Sequence, residues 1–339
     1  MGKGAGNMTE KVAFVTGITG QDGSYLAEFL LNKDYTVVGL IRRTVSENNE
    51  KLKNLKSIVN NRRLILEYGD VTDFSSMTRI ITEYMPCEIY NLAAQSHVGT
   101  SFKCPASTLE INLNGCLNLL ENIRLINPKI KFYQASTSEM YGENTRCPQN
   151  ENTFFQPVSP YACAKLAAHH IVQTYRKSYD IHASSGILFN HESPRRGENF
   201  VTRKITKAAA RIKLGLQSEL RLGNLEAERD WGFAGDYVKA MWLMLQQDKS
   251  DNYVIATGKL NSVKDFLNYV FEIAGLDVEK HVVIDPKFYR PCEVPKLWGD
   301  ASKANRILKW NAETTYAQLA KMMYERDYET ESKKTKTRD

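Results

Sequence analysis

Cysteine is sparse and unpatterned in this chain: six in 339 residues, at Cys87, Cys104, Cys116, Cys147, Cys163 and Cys292. There is no Cys-x-x-Cys and no pair of histidines at metal-ligand spacing, which argues against a zinc site and a disulfide frame. The thiols are therefore expected to be reduced, in a cytoplasmic protein. Long apolar runs are missing, and so is the signature of a cleaved leader, so neither a membrane-spanning helix nor a secretory signal is expected. Met1-Gly2 is not followed by Ser or Thr at position 6, and the N-myristoylation pattern fails. No internal repeat and no low-complexity linker interrupts the chain. Neither sign of charge dominates: 45 basic residues face 39 acidic ones, for a net charge of +6. Part of that excess sits in the tail, on Lys333, Lys334, Lys336 and Arg338. So modest an excess suits an anionic small ligand and argues for no nucleic acid and no membrane surface as a partner.

What is present starts with a strand and a glycine turn. Lys11-Val12-Ala13-Phe14-Val15-Thr16-Gly17 is a short apolar run ending in glycine, the pattern of a buried strand. Gly17-Ile18-Thr19-Gly20-Gln21-Asp22-Gly23 follows, and Tyr25, Leu26, Phe29 and Leu30 recur at helical spacing. A Gly-x-x-Gly-x-x-Gly turn between strand and helix places the pyrophosphate of a dinucleotide at a helix N-terminus. The second strand, Thr36-Val37-Val38-Gly39-Leu40-Ile41, ends on Arg42 and Arg43 where NAD-binding versions carry an acidic residue. Arginine pairs with a 2′-phosphate that a carboxylate would repel, so NADP is the expected cofactor; two arginines simply facing water is the plainer alternative.

The alternation continues. Leu64–Asp70 reads as the third strand, and Asp70 either meets the adenine edge or caps the following helix. Met77, Ile80, Ile81 and Tyr84 mark that helix, and Pro86 stops it. Glu88–Gln95 is the fourth strand, with Ala93-Ala94 small enough for a cofactor to lie against. Residues 109–126 form a long helix, and Lys131–Ser136 is the fifth strand. The order implies a Rossmann-type doubly wound parallel sheet in an α/β protein, with a smaller C-terminal substrate-binding lobe. We assign 11–189 to the dinucleotide-binding domain, with 235–260 returning to it, and 190–234 plus 261–330 to the smaller lobe. Residues 1–10 and 331–339 are expected to be flexible ends.

Ala135-Ser136-Thr137-Ser138-Glu139 and Tyr161-Ala162-Cys163-Ala164-Lys165 carry the chemistry. Tyr161 and Lys165 are four apart in a helical segment and share a face. A lysine ammonium beside a phenol favours the phenolate and is expected to lower its pKa, making Tyr161 a base near neutral pH. Thr137 can hold a substrate oxygen, and Glu139 supplies a second acid/base. Alone, Tyr-x-x-x-Lys is a common surface pair. Beyond the sixth strand, Ser184–Asn190, the regular pattern breaks. The irregular stretch 190–235 is rich in Arg, Gly and Asn and suits a phosphorylated ligand, or else a solvated loop. His191 within it reads equally as a base or as a structural residue.

Together the glycine turn, the Ser/Thr after strand five and Tyr161-x-x-x-Lys165 resemble the extended short-chain dehydrogenase/reductases. Within them, the segments Gly17–Gly23, Ala135–Glu139, Leu188–Gly197 and Gly223–Gly232 are similar to the GDP-mannose 4,6-dehydratases, from about residue 11 to 325. The resemblance implies catalytic Thr137, Glu139 and Tyr161, with Ser138 assisting and Lys165 tuning Tyr161. It implies NADP held by Gly17, Ile18, Thr19, Gly20, Gln21, Asp22 and Gly23, by Arg42, Arg43, Thr44, Asp70 and Val71, and by Leu92, Ala93, Ala94, Gln95 and Ser96. Tyr161, Lys165, His191, Arg196 and Ser107 complete that set, Ser107 at a position where many members carry tyrosine. For the sugar nucleotide, GDP-mannose, it implies Ser96, Asn190, Glu192, Asn199, Phe200, Val201, Lys204, Arg221, Arg229, Arg290 and Glu293. No metal is implied. A homodimer or homotetramer is, with the loop Arg42–Asn49 at an interface. A 4-epimerase or plain reductase of the same fold needs Tyr161 and Lys165 but not Thr137-Ser138-Glu139. A non-catalytic dinucleotide sensor has no use for Glu139, Tyr161 and Lys165 together.

Overall fold

The computed structural model describes residues 11–43, 52–289 and 292–336, residue 336 by its backbone alone. Thr44, Arg290 and the 44–49 part of the expected interface loop lie outside the described residues. The first half alternates strand and helix: β1 Val12–Thr16, α1 Gln21–Leu31, β2 Thr36–Ile41, β3 Leu64–Tyr68, α2 Phe74–Tyr84 and β4 Glu88–Asn91. Then come α3 Val98–Ser101, α4 Pro105–Leu109, α5 Gly115–Ile126, β5 Lys131–Thr137, α6 Pro160–Tyr179 and β6 Ala183–Leu188. The second half holds β7 Asn190–Glu192, α7 Val201–Lys213, β8 Leu220–Leu222, β9 Glu228–Arg229, β10 Trp231–Phe233, α8 Ala234–Leu245 and β11 Asn252–Ile255. It closes with β12 Asn261–Ser262, α9 Val263–Ala274, α10 Val278–His281, β13 Val282–Ile284, β14 Lys296–Leu297, α11 Ser302–Leu308 and α12 Tyr316–Lys336.

The main sheet is parallel, in the order β11-β6-β5-β4-β1-β2-β3. Its inner strands are buried on both faces, which is why β1, β2 and β6 read as near-continuous apolar or small runs. One face packs Leu26, Leu30, Met241 and Leu245 of α1 and α8. The other packs Met77, Ile80, Leu119, Ile123 and Val172 of α2, α5 and α6. The strand order reverses between β1 and β4, the switch point where doubly wound sheets open a crevice. Thr16 Oγ1 bridges those two strands. It donates to Asn91 Oδ1 at 2.8 Å and accepts the N–H groups of Leu92 and Ala93, each at 3.0 Å. A second core, around Trp231, Phe266, Phe271 and Met323, binds α7, α9 and α12 into the smaller lobe.

Two differences from the sequence reading have local causes. The helix assigned to 109–126 begins at Pro105 and passes through a π-helical turn at Glu110–Asn114. There Asn112 turns inward, its side chain holding the backbone N–H and C=O of Gln95 at 3.0 and 3.1 Å. The C-terminal helix runs on to Lys336, so residues 331–336 are helical and not a flexible end. Glu331 anchors them, 3% exposed and paired with Arg211 at 2.7 Å.

Candidate functional site

A cavity of about 1020 Å³ opens over the C-terminal ends of β1, β4, β5 and β6 and extends into the smaller lobe. Its floor is the glycine turn. Gly17 has φ +67°, and a Cβ there would stand 2.9 Å from Ala93 N and from the Leu92 carbonyl. A Cβ on Gly23 would stand 2.3 Å from Gly17 O. The turn therefore folds tightly against β4, and α1 starts at Gly20 with no side-chain cap on its first amides. Uncapped amides at a helix start, approached through a cradle that side chains would fill, fit the pyrophosphate of a dinucleotide. Arg42, Asp70, Val71, Ala94 and Ser96 line the same end.

Asp70 is not the helix cap: Asp73 caps α2, while Asp70 Oδ1 accepts from Thr72 N and Oγ1 at 3.0 and 2.8 Å. Ile18 does not line the cavity. It is fully buried beneath Gly39, whose Cβ would meet it at 2.3 Å. Gln95 also turns away, towards His97 O and Thr108 Oγ1. Arg43 and Ser107 stand outside the lining.

Thr137, Ser138 and Glu139 meet Tyr161 and Lys165 at the middle of the cavity. Thr137 ends β5 and caps a 3-10 turn, its Oγ1 accepting the Glu139 N–H at 3.2 Å. Ser159 caps α6, and Pro160 at its first position starts the helix just before Tyr161. Lys165 reaches across and donates to Ala135 O at 2.9 Å, locking α6 to β5. Burial holds the Lys165 ammonium down at about 8. The Tyr161 phenol differs from the sequence expectation. Burial pushes it up to about 12; the Thr137 hydroxyl favours the phenolate and Glu139 opposes it, and Lys165 has no leading part. The reason is desolvation: Tyr161 is 8% exposed, and the phenolate loses its water.

The stretch beyond β6 is tied to the glycine turn. His191 Nε2 is 2.8 Å from Asp22 Oδ2, and its Nδ1 is 2.8 Å from Phe189 O. Gln21 donates to His191 O at 3.0 Å and accepts from Ser193 Oγ at 2.8 Å, and Arg195 donates to Ser24 and Glu28. Burial disfavours both members of the Asp22–His191 pair, but their mutual attraction outweighs it. Asp22 is held below 3.8 and His191 above 6.5, their ordinary values. His191 thus stabilises the fold fully below pH 6.5 and loses that effect as pH rises through its folded value. Asp22 contributes above pH 3.8 and loses it as pH falls. We predict that Asp22→Asn lowers the melting temperature more at pH 5.5 than at pH 9; an equal loss at both would show that the pair is not charged.

Asn190, Glu192, Arg196, Asn199, Phe200 and Val201 line the outer half, with Lys204, Arg229 and Glu293. Arg196 lies 3.6 Å over the Phe200 ring and 3.0 Å from buried Glu192. Arg229 is buried on β9, its Nη1 donating to Glu228 O at 2.8 Å. Beside it Asp230 collects Thr257 and Gly258 donors, although burial still raises it to about 6. Arg221 is not brought in: it is exposed on β8 and paired with Glu219 and Asp285. Sequence reasoning missed His97, Lys103, Asn224, Lys287, Phe288 and Tyr289, which also line the cavity. His97-Val98-Gly99-Thr100 follows a strand end at the level of the glycine turn, and that position is a signal that could have been used. The segment near 287 carries none. Among the described residues no group of His, Cys, Asp or Glu could hold a metal, and no helix is long and apolar enough to cross a membrane.

This sheet, with a glycine turn at its switch point and Tyr161–Lys165 facing Thr137, defines the class of the short-chain dehydrogenase/reductases. Solved structures share its fold. The UDP-glucose 4-epimerase of Thermotoga maritima superposes with a TM-score of 0.82 over 95% of this chain and 99% of its own, at 27% identity. The dTDP-glucose 4,6-dehydratase of Streptomyces venezuelae gives 0.83 over 95% and 98%, at 22% identity, a likeness of fold. The family profile for GDP-mannose 4,6 dehydratase matches residues 14–323. GDP-mannose 4,6 dehydratase 1 of Arabidopsis thaliana is 54% identical over 94% of this chain and 90% of its own length, and the Drosophila melanogaster enzyme 50% identical over 96% and 88%. The chain belongs to the GDP-mannose 4,6-dehydratase family, enzymes of the hydro-lyase class.

Proposed function

We propose that this chain converts GDP-mannose to GDP-4-keto-6-deoxy-mannose, a first step towards 6-deoxysugars, with NADP bound at the glycine turn. The observation that supports it best is one cavity presenting Tyr161 and Glu139 from different elements, so that two proton transfers can occur at different carbons of one sugar ring. Gly17, Gly20 and Gly23 would take the pyrophosphate, Arg42 the 2′-phosphate, and Lys165 the nicotinamide ribose. Bound there, NADP supplies the acceptor for the hydride leaving C4 and its donor for C6. Tyr161 takes the C4 hydroxyl proton, and the Thr137 hydroxyl stabilises the phenolate form. The C4 ketone acidifies the C5 proton; Glu139 removes it and delivers a proton to the C6 hydroxyl, which departs as water, and a solvent-derived proton returns to C5 as hydride is delivered to C6. Lys204 and Arg229 would neutralise the diphosphate of the sugar nucleotide, while Arg196, whose charge acts on Asp22 and His191, would stand on the cofactor side.

GDP-mannose carrying deuterium at C4, with substoichiometric NADP, should give a product with deuterium at C6; label found in solvent would sink the reading. A 4-epimerase of this fold would leave Glu139 without a task. Arg42→Asp should erase the preference for NADP over NAD, a loss of about tenfold or more on removing a charged pair. Calorimetric titration checks this, and equal affinities in the unmodified chain would remove Arg42 from the site. The reading extends to a cytoplasmic homodimer or homotetramer, which light scattering would distinguish.

A further inference from the structure

The glycine turn is gripped from behind by a segment to which the reaction assigns nothing. Residues 52–61, between β2 and β3, fold into successive tight turns. Leu55 N–H donates to Leu52 O at 2.8 Å, Ile58 N–H to Leu55 O at 2.9 Å and Asn61 N–H to Ile58 O at 2.9 Å. Leu55 is fully buried and anchors the segment in the core that holds Leu26 and Leu30 of α1, with Leu52 and Ile58 packed against it. Asn54, beside that anchor, donates from Nδ2 to Thr19 O at 3.0 Å. Thr19 and Gly20 line the cavity, and Asn54 stands behind them, outside the lining.

A peptide unit is planar, with its C=O and N–H on opposite edges. In the unit joining Thr19 to Gly20 both edges are held. Gly20 N–H donates to Gly17 O at 3.0 Å, inside the turn, and Thr19 O accepts from Asn54, outside it. That plane ends on Gly20, the N-cap of α1, whose first amides have no side-chain cap. Its orientation therefore sets where those amides point. Glycine at 17 and 20 lets the turn form, and the same backbone freedom lets it open. A bond from a packed segment restrains it. We infer that Asn54 is a positioning residue for the cofactor, holding the Thr19–Gly20 plane so that the start of α1 faces the pyrophosphate. The inference rests on the proposed function. NADP and NAD share the pyrophosphate, so losing the Asn54 bond weakens both alike. Losing Arg42 differs, because it acts on the 2′-phosphate that NADP alone carries.

Ser57 supplies the control. It lies in the same segment and donates to Glu28 Oε1, further along α1 and away from the turn. Asn54→Leu keeps the bulk of the side chain without its donor, and Asn54→Ala removes both. In the full chain, titrated by calorimetry, each should raise the dissociation constants of NADP and of NAD by about fivefold, the scale of one neutral hydrogen bond. The ratio of the two constants should not change. Affinity for GDP, and kcat at saturating NADP, should stay as in the unmodified chain. Ser57→Ala should leave every one of these quantities unchanged. Unaltered cofactor affinity in folded Asn54→Leu and Asn54→Ala would overturn the inference. So would a loss confined to NADP, which would mean that the segment serves the Arg42 end and not the turn. An equal loss in Ser57→Ala would mean general loosening of the segment and would also overturn it. Should neither Asn54 variant fold, the residue is a folding element and the inference falls. Failure of the unmodified chain to bind either dinucleotide would instead refute the proposed function itself.

Discussion

Glu139→Gln loses formation of the 6-deoxy product by about 10²–10⁴-fold, the range for removing one positioned acid/base. Glutamine keeps the volume, and the Glu139 backbone N–H that donates to Thr137 Oγ1 at 3.2 Å is left in place. Affinity for GDP-mannose and NADP should therefore stay within a few-fold, and the loss should fall on kcat. Tyr161 and Lys165 are untouched, so the C4 carbinol can still be oxidised. What disappears is the base for the C5 proton. Two readouts separate this from general damage. In D2O the unmodified chain should incorporate deuterium at C5 and the variant should not. Mass analysis of the variant's product should show the C6 hydroxyl retained. A variant that forms 6-deoxy product at the normal rate removes Glu139 from the chemistry and leaves the fold doing redox work of another kind.

Tyr161→Phe should be as damaging, again about 10²–10⁴-fold, but one step earlier, so that no 4-keto sugar of either kind forms. The buried ring is kept, hence folding should change little; an unchanged rate would transfer the role to another group. The unmodified chain should also show an unusual pH profile. The active form needs Tyr161 deprotonated and Lys165 protonated, yet burial places the phenol at about 12 and the ammonium at about 8. Below pH 8 the phenolate fraction grows tenfold per pH unit while Lys165 stays charged. Above it the growth is cancelled by loss of the ammonium. The value of kcat/KM for GDP-mannose should therefore rise up to about pH 8 and then level, instead of peaking near neutrality. Lys165→Arg keeps the charge at all these pH values and should remove the levelling, provided the variant still binds NADP.

The sequence by itself determined the parts whose signals are local. Apolar runs punctuated by glycine define β1 to β6, because strands buried on both faces leave a near-continuous apolar record. Gly17, Gly20 and Gly23 define the turn, since a Cβ at Gly17 or Gly23 would overlap backbone atoms. The i, i+4 spacing of Tyr161 and Lys165 defines one helix face. The tertiary structure decided what depends on the surroundings of a side chain. It set the phenol of Tyr161 high, because desolvation outweighs a lysine that is bonded to Ala135 O. It withdrew Ile18, Gln95 and Arg221 from the cavity, since alternation along a segment does not say which neighbour occupies the far side. It brought His97, Lys103 and Phe288 in from loops that carry no periodicity. It ordered residues 331–336 through Glu331 and Arg211, an ion pair between positions 120 apart. And it joined Gln21 and Asp22 to His191 and Ser193 across about 170 residues, so that the glycine turn and the Arg-rich segment, read separately along the chain, form one wall of the cavity. Contacts between residues so far apart depend on the closed fold, and local composition does not encode them.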